Sequence, residues 1–146
     1  MKQKPSPSIY QLFFHIIKSV RIDLDRWLRK TNAGITSPQF GLLRAIGHAK
    51  HPLSFNELAR HMTLRPPSIL PSVDSLEKEG YLRRHENPED RRKIELIITA
   101  KGKKLLARVM GSGHTDSLRR ALKKMGASKE KQLVGLLEEL VGKIHN

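Results

Sequence analysis

Ser54-Phe55-Asn56-Glu57-Leu58-Ala59-Arg60-His61-Met62, then Ser68-Ile69-Leu70 through Val73 and Leu76 to Gly80, then Asn87-Pro88-Glu89-Asp90-Arg91-Arg92: the reading of this stretch decides the fold. Ser54 and Glu57, three apart, have the spacing of a capping box at a helix start. Leu58, Ala59 and Met62 share one face of that helix, and Ala59 is small where a following helix crosses closely. Thr63-Leu64-Arg65 reads as a tight turn. Ile69, Val73 and Leu76 then repeat at four and three residues in a second helix with a polar outer face, closed by Gly80. Residues 81–85 and 93–98 read as strands, the second alternating Ile94, Leu96 and Ile98 with Lys93, Glu95 and Ile97. The connection between them is longer than a two-residue turn and contains Pro88, so it projects, with Arg91, Arg92 and Lys93 at or near its tip. A charged turn alone would be a solvated turn. Behind an exposed second helix it completes a winged helix-turn-helix, whose helix suits a major groove and whose ribbon cations suit phosphate or minor-groove contact.

Working outward, Ser37-Pro38 starts a helix, with Ser37 as N-cap, Pro38 at the first helical position and Phe40, Leu42, Leu43 and Ile46 as its apolar residues. Before it, Ile9, Leu12, Phe13, Ile16, Ile17, Val20, Leu24, Trp27 and Leu28 form a helical stripe about five turns long. Phe14 and Ile22 lie off that stripe, which points to a second packing surface against another subunit. Asn32-Ala33-Gly34 ends this helix, with Gly34 suited to the left-handed cap. Residues 1–8, with Pro5 and Pro7, read as a flexible arm. After the ribbon, Thr99 caps a helix carrying Leu105, Leu106, Val109 and Met110. A break is expected at Gly111-Ser112-Gly113 before Leu118, Leu122 and Met125 resume the stripe. Ser128 caps a last helix with Leu133, Leu136, Leu137, Leu140, Val141 and Ile144. The expected fold is mainly α with a small β-wing, its dimer formed by the N- and C-terminal helices. The 146 residues form one domain, with 1–34 and 102–146 as dimerisation helices and 36–101 as the DNA-binding region.

Composition limits the alternatives. There is no cysteine, which excludes disulfides, thiolate metal sites and cysteine nucleophiles. No apolar run approaches the ~18–20 residues that span a bilayer, and the amino-terminal residues lack the apolar stretch of a secretory signal, so a cytoplasmic protein with no membrane partner is expected. The 28 Lys and Arg against 14 Asp and Glu give a formal charge of +14, pointing to a polyanionic partner. Residues 1–53, 54–101 and 102–146 carry net charges of +7, +1 and +6. The reading head is nearly neutral and the flanks hold the excess.

Asp90-Arg91-Arg92, followed after five residues by Ile98-Thr99, resembles the wing motif Asp-x-Arg-x5-Leu-Thr of the MarR family of transcriptional regulators, with Ile98 in place of leucine. Residues 76–84 are similar to the family's end of the recognition helix. Ile35-Thr36-Ser37-Pro38-Gln39-Phe40 with Leu43, and Leu53-Ser54 with Glu57-Leu58-Ala59, are similar to the helices before it, and Ser128 to Leu140 to its closing helix. The resemblance implies a homodimer on a palindromic operator of double-stranded DNA, acting as a repressor released by a small aromatic or lipophilic effector. It implies that Arg92 is the minor-groove arginine and Asp90 the carboxylate orienting it. Ser68, Ser72 and Ser75 would face the groove with Arg65 at the helix start, and Arg91 and Lys93 would flank the wing contact. His15, Trp27, Phe40 and Arg44 are the candidates for an effector pocket.

Two departures from the family pattern stand out. Pro71 lies inside the recognition helix, where it removes a backbone donor and clashes with the carbonyl four residues back. With Pro66 and Pro67 also present, a late start or a bend is expected. Arg65 is the only basic residue between 65 and 75, which limits guanine reading and leaves more to DNA shape and water. Pro71 and the near-neutral 54–101 segment keep open an alternative, a winged-helix protein–protein interaction module without specific DNA binding. Enzyme chemistry finds little support. Ser112, His114 and Asp116 are too close in sequence to form a catalytic chain, and no phosphate loop or His-Glu-x-x-His motif occurs. His48 and His51 straddle a helix end with no flanking carboxylate, so neither a metal nor a cofactor is expected.

Overall fold

The computed structural model describes residues 7–111 and 116–144. In chain order the elements are α1 (Ile9–Lys30), α2 (Ser37–His48), β1 (Leu53–Ser54), α3 (Phe55–His61), α4 (Pro66–Lys78), β2 (Leu82–Glu86), β3 (Ile94–Ile98), α5 (Ala100–Gly111), α6 (Asp116–Met125) and α7 (Ala127–Ile144). The expected mainly helical fold with a β-wing is present. The chain divides into two compact units, residues 24–114 and residues 1–23 with 115–146.

The 24–114 unit has one apolar core. Leu28, Leu43, Leu58, Ile69, Val73, Leu76, Leu82, Leu96 and Val109 are each all but inaccessible, and burying side chains of this size stabilises by about 1.5–3 kcal/mol each. Except for Leu82 of β2 and Leu96 of β3, these are inward positions of helices, and Leu58 with Ile69, Val73 and Leu76 shows the periodicity of α3 and α4 translated into packing. Leu105 and Val109 bring α5 into the same core. The sheet has three antiparallel strands in the order β1-β3-β2, with Leu82 opposite Ile98 and Arg84 opposite Leu96. On its other edge β3 pairs with β1, Leu53 opposite Leu96. A two-residue strand has no alternation to detect, and sequence reasoning took this segment only as a link and a cap.

Helix ends account for several differences from expectation. The N-cap of α2 is Thr36, one residue before the expected Ser37, and Gln39 Oε1 accepts the Thr36 N–H at 2.9 Å. Ser37 is instead buried inside the first turn, where its N–H and hydroxyl donate to Asp25 at 2.8 and 3.1 Å. A carboxylate there also favours the positive end of the helix dipole. The left-handed residue closing α1 is Asn32 (φ 50°), with Ala33 N–H reaching Leu28 C=O; Gly34 (φ 72°) takes its own positive φ in the next turn. Helix α4 does not start late. It begins at Pro66, whose missing N–H is harmless in a first turn, and runs through Pro71 to Lys78. Helix α7 begins at Ala127, so Ser128 lies within its first turn rather than capping it.

Two expectations were met closely. Ser54 and Glu57 form the capping box of α3, with the Ser54 N–H donating to Glu57 Oε2 at 2.8 Å. That bond holds the Glu57 carboxyl below its ordinary range. Thr99 Oγ1 accepts the Gly102 N–H at 3.1 Å at the start of α5. Helix α5 ends at Gly111, while Ser112, Gly113 and His114, like residues 1–6, fall outside the described residues.

In the second unit, Asp23 Oδ2 accepts the Ser117 N–H at 2.9 Å and its hydroxyl at 2.5 Å, joining α1 to the start of α6. Neither α6 nor α7 buries a residue. Met125 of α6 and Val134, Leu136, Val141 and Ile144 of α7, together with Ile9, Phe14 and Ile17 of α1, stand exposed on the single chain, while Leu118, Leu122 and Leu133 are half-buried.

Candidate nucleic-acid interface

Helices α3 and α4 join through a left-handed turn. Thr63 adopts φ 55°, Leu64 N–H bonds to Ala59 C=O at 2.8 Å and Thr63 N–H to Arg60 C=O at 3.0 Å. These two bonds close α3 and turn the chain into α4. Ile69, Val73 and Leu76 then anchor α4 to the core, leaving Pro66, Pro67, Ser68, Leu70, Pro71, Asp74 and Lys78 exposed.

The four α4 positions suggested by sequence fall differently. Arg65 is the exposed N-cap residue. Ser68 is exposed, but its hydroxyl donates to the Arg65 C=O at 2.6 Å. Ser72 and Ser75 are half-buried on the flank of the helix. Sequence reasoning passed over the residue that organises this surface, Arg84 of β2. Its guanidinium bonds Asp74 Oδ1 at 2.5 Å and also Glu77, its N–H donates to Glu77 Oε1 at 3.1 Å, and it lies over the Phe55 ring. The Asp74 bond, ahead of the Glu77 contacts, raises the Arg84 pKa further above its already high value. Asp74 and Glu77 of α4 are thus both paired. Carboxylates in α4 that precede an arginine in the next strand were the available signal.

The wing tip is built on Asn87. Its Oδ1 accepts the N–H groups of Glu89 and Asp90 at 2.8 and 3.0 Å, its side-chain amide donates to Glu95 at 2.6 Å, and its own N–H reaches Lys93 C=O at 2.9 Å. Beyond it, Asp90 Oδ1 accepts both the Arg92 N–H and Nε–H at 3.1 Å. Those bonds, side chain first, hold the Asp90 carboxyl below its usual range. The Arg92 side chain is 92% exposed, and Arg91 and Lys93 are exposed beside it. The wing residues expected from sequence are therefore brought together.

Of the four effector-pocket candidates, Trp27, Phe40 and Arg44 belong to the 24–114 unit and His15 to the other. Phe40 is in the core, and Trp27 packs against that core under Arg108, 5.5 Å from its ring centre. His15 is exposed on α1. Arg44 lines an open groove of about 450 Å³ with His48, Lys50, His51 and His61 over Leu53 and Met62. Among the described residues no three His, Asp or Glu side chains come close enough to hold a metal ion, and no helix is long and apolar enough to cross a membrane.

An exposed second helix beside a cation-tipped ribbon defines a winged helix-turn-helix protein of the class that regulates transcription. Residues 33–93 match the MarR family, and the fold over nearly the whole chain agrees with it. That match spans 61 of the chain's 146 residues. The chain is 25% identical over 136 residues to the HTH-type transcriptional repressor YetL of Bacillus subtilis (strain 168), covering 92% of this chain and 80% of that one. The wild-type apo MarR crystal structure from E. coli superposes with a TM-score of 0.79 at 20% identity, covering 93% of this chain and 98% of that one. The S. aureus MepR–DNA complex gives 0.70 at 19% identity, covering 94% and 99%.

Proposed function

We propose that this protein is a MarR-family regulator that binds double-stranded DNA as a homodimer on a palindromic operator and represses transcription there. The observation that carries the proposal is Arg92, fully projected from the wing yet fixed at its base by Asp90. An oriented, solvent-facing guanidinium suits a minor groove or a phosphate. The homodimer is supported by apolar surface that the single chain leaves uncovered, including Phe14 and Ile17 of α1 and Leu136, Val141 and Ile144 of α7. In this proposal the segments 1–34 and 102–146 pair the copies and 36–101 meets DNA. Two-fold pairing places two winged modules on two half-sites, hence the palindrome. Repression is supported by the name of the YetL relative. Release by a small aromatic or lipophilic effector, and a cytoplasmic location, belong to the same proposal.

A gel shift with the DNA flanking the protein's own gene tests DNA binding, and light scattering of the free protein tests the dimer. A specific shift by a dimer is expected. No specific shift at low salt overturns the operator, and a monomer at micromolar concentration overturns the pairing.

A further inference from the structure

In a helix-turn-helix the residues at the start of the second helix meet the base edges, and here those residues are apolar and poor in donors. Leu64 in the turn is 49% exposed and Leu70 44%, with Pro66, Pro67 and Pro71 exposed beside them. The prolines have no N–H to offer. Ser68 directs both its N–H and its hydroxyl to the Arg65 C=O, at 3.0 and 2.6 Å. From 66 to 78 there is no Arg, Asn or Gln, the side chains that read guanine and adenine through paired hydrogen bonds. Asp74, the exposed acid, is held by Arg84, and Lys78 lies at the far end of the helix.

The apolar feature of a major groove is the thymine 5-methyl group. We propose that Leu70 and Pro71, at the exposed start of α4, select operators by packing against thymine methyls at the centre of each half-site. This inference rests on the DNA-binding proposal above. Arg65, at the edge of the helix, remains the group able to take a guanine. Covering one methyl is worth about fourfold in affinity, the transfer value of one buried carbon group.

The test uses the full chain. Sites are selected from a random duplex library, and each central thymine of the recovered site is replaced by uracil, which keeps the pairing and the O4 acceptor and removes only the methyl. Affinity is read by fluorescence anisotropy at fixed salt. The expected result is an about fourfold loss for each contacted thymine, with Leu70→Ala, an exposed substitution, largely abolishing the difference between thymine and uracil duplexes. Equal wild-type affinity for both duplexes overturns the inference while leaving DNA binding intact. So does a uracil penalty that survives both Leu70→Ala and Pro71→Ala, or a recovered site without central thymines. A library from which nothing is enriched overturns the DNA-binding proposal itself and turns the apolar start of α4 into a protein-docking surface.

Discussion

Asp90 Oδ1 accepts two hydrogen bonds from Arg92, one from the backbone N–H and one from Nε, both at 3.1 Å. As a surface ion pair this contributes little to stability; what it fixes is the direction in which the guanidinium leaves the wing. Arg92→Ala is expected to weaken DNA binding across sequences and to flatten the slope of log K against log salt by about one contact. The melting temperature should stay within about a degree of wild type, as exposed substitutions usually do. Anisotropy across a salt series checks this, and an unchanged slope with unchanged affinity removes the wing from binding.

Thr63 makes the turn between α3 and α4 in the left-handed region, at φ 55°. A β-branched residue there is costly, at roughly 1–2 kcal/mol. Thr63→Gly is expected to stabilise the fold by up to about 1 kcal/mol, the relief being partly offset by glycine's greater freedom in the unfolded chain. Urea denaturation measures it. A lower midpoint at unchanged slope means that Thr63 makes a contact worth more than the strain.

Tyr81, just after α4, donates its hydroxyl to the buried Ala33 C=O at 2.6 Å and so ties the end of α4 to the end of α1. Tyr81→Phe leaves that carbonyl without this donor and should cost about 1–3 kcal/mol. Burial first, and Glu79 second, raise the Tyr81 pKa, against a smaller opposing effect of Arg108. The sign follows: the folded state holds the proton more tightly than the unfolded one. The contribution is therefore complete below the unfolded value of about 10 and is lost as pH rises through the higher folded value. Alkaline unfolding of the wild type should show this loss, and the phenylalanine variant should lack it.

Gly102, in the first turn of α5, lies where a Cβ would come within 2.3 Å of the Tyr81 carbonyl oxygen and 2.7 Å of the Ile98 side chain. The obstacle is backbone, so it cannot swing aside. Gly102→Ala is expected to destabilise by about 2–3 kcal/mol, typical of forcing volume into a packed site. A melting temperature equal to wild type would show that α5 shifts freely.

Much of the fold was legible because periodicity and caps are local. Ile69, Val73 and Leu76 announced the inner face of α4, and Ser54 with Glu57 announced the start of α3. The wing was legible through Asp90 and Arg92, which interact across two residues. What escaped sequence reasoning depends on partners far apart in the chain. Asp25 reaches Ser37 across twelve residues, and Arg84 takes partners from α4 and a ring from α3. The degree to which each outer position of α4 is covered was not legible either, because it depends on how Ile69, Val73 and Leu76 seat the helix: Ser68 is exposed, while Ser72 and Ser75 are half-buried.

Arg84 has a consequence for how the molecule meets a long, stiff partner. One side chain grips α4 through Asp74 and Glu77, grows from the strand that leads to the wing, and rests on Phe55 of α3. The helix and the ribbon are therefore linked through one guanidinium. On the proposed operator that linkage couples the groove contact to the wing contact, so the local width and bend of the duplex enter the fit.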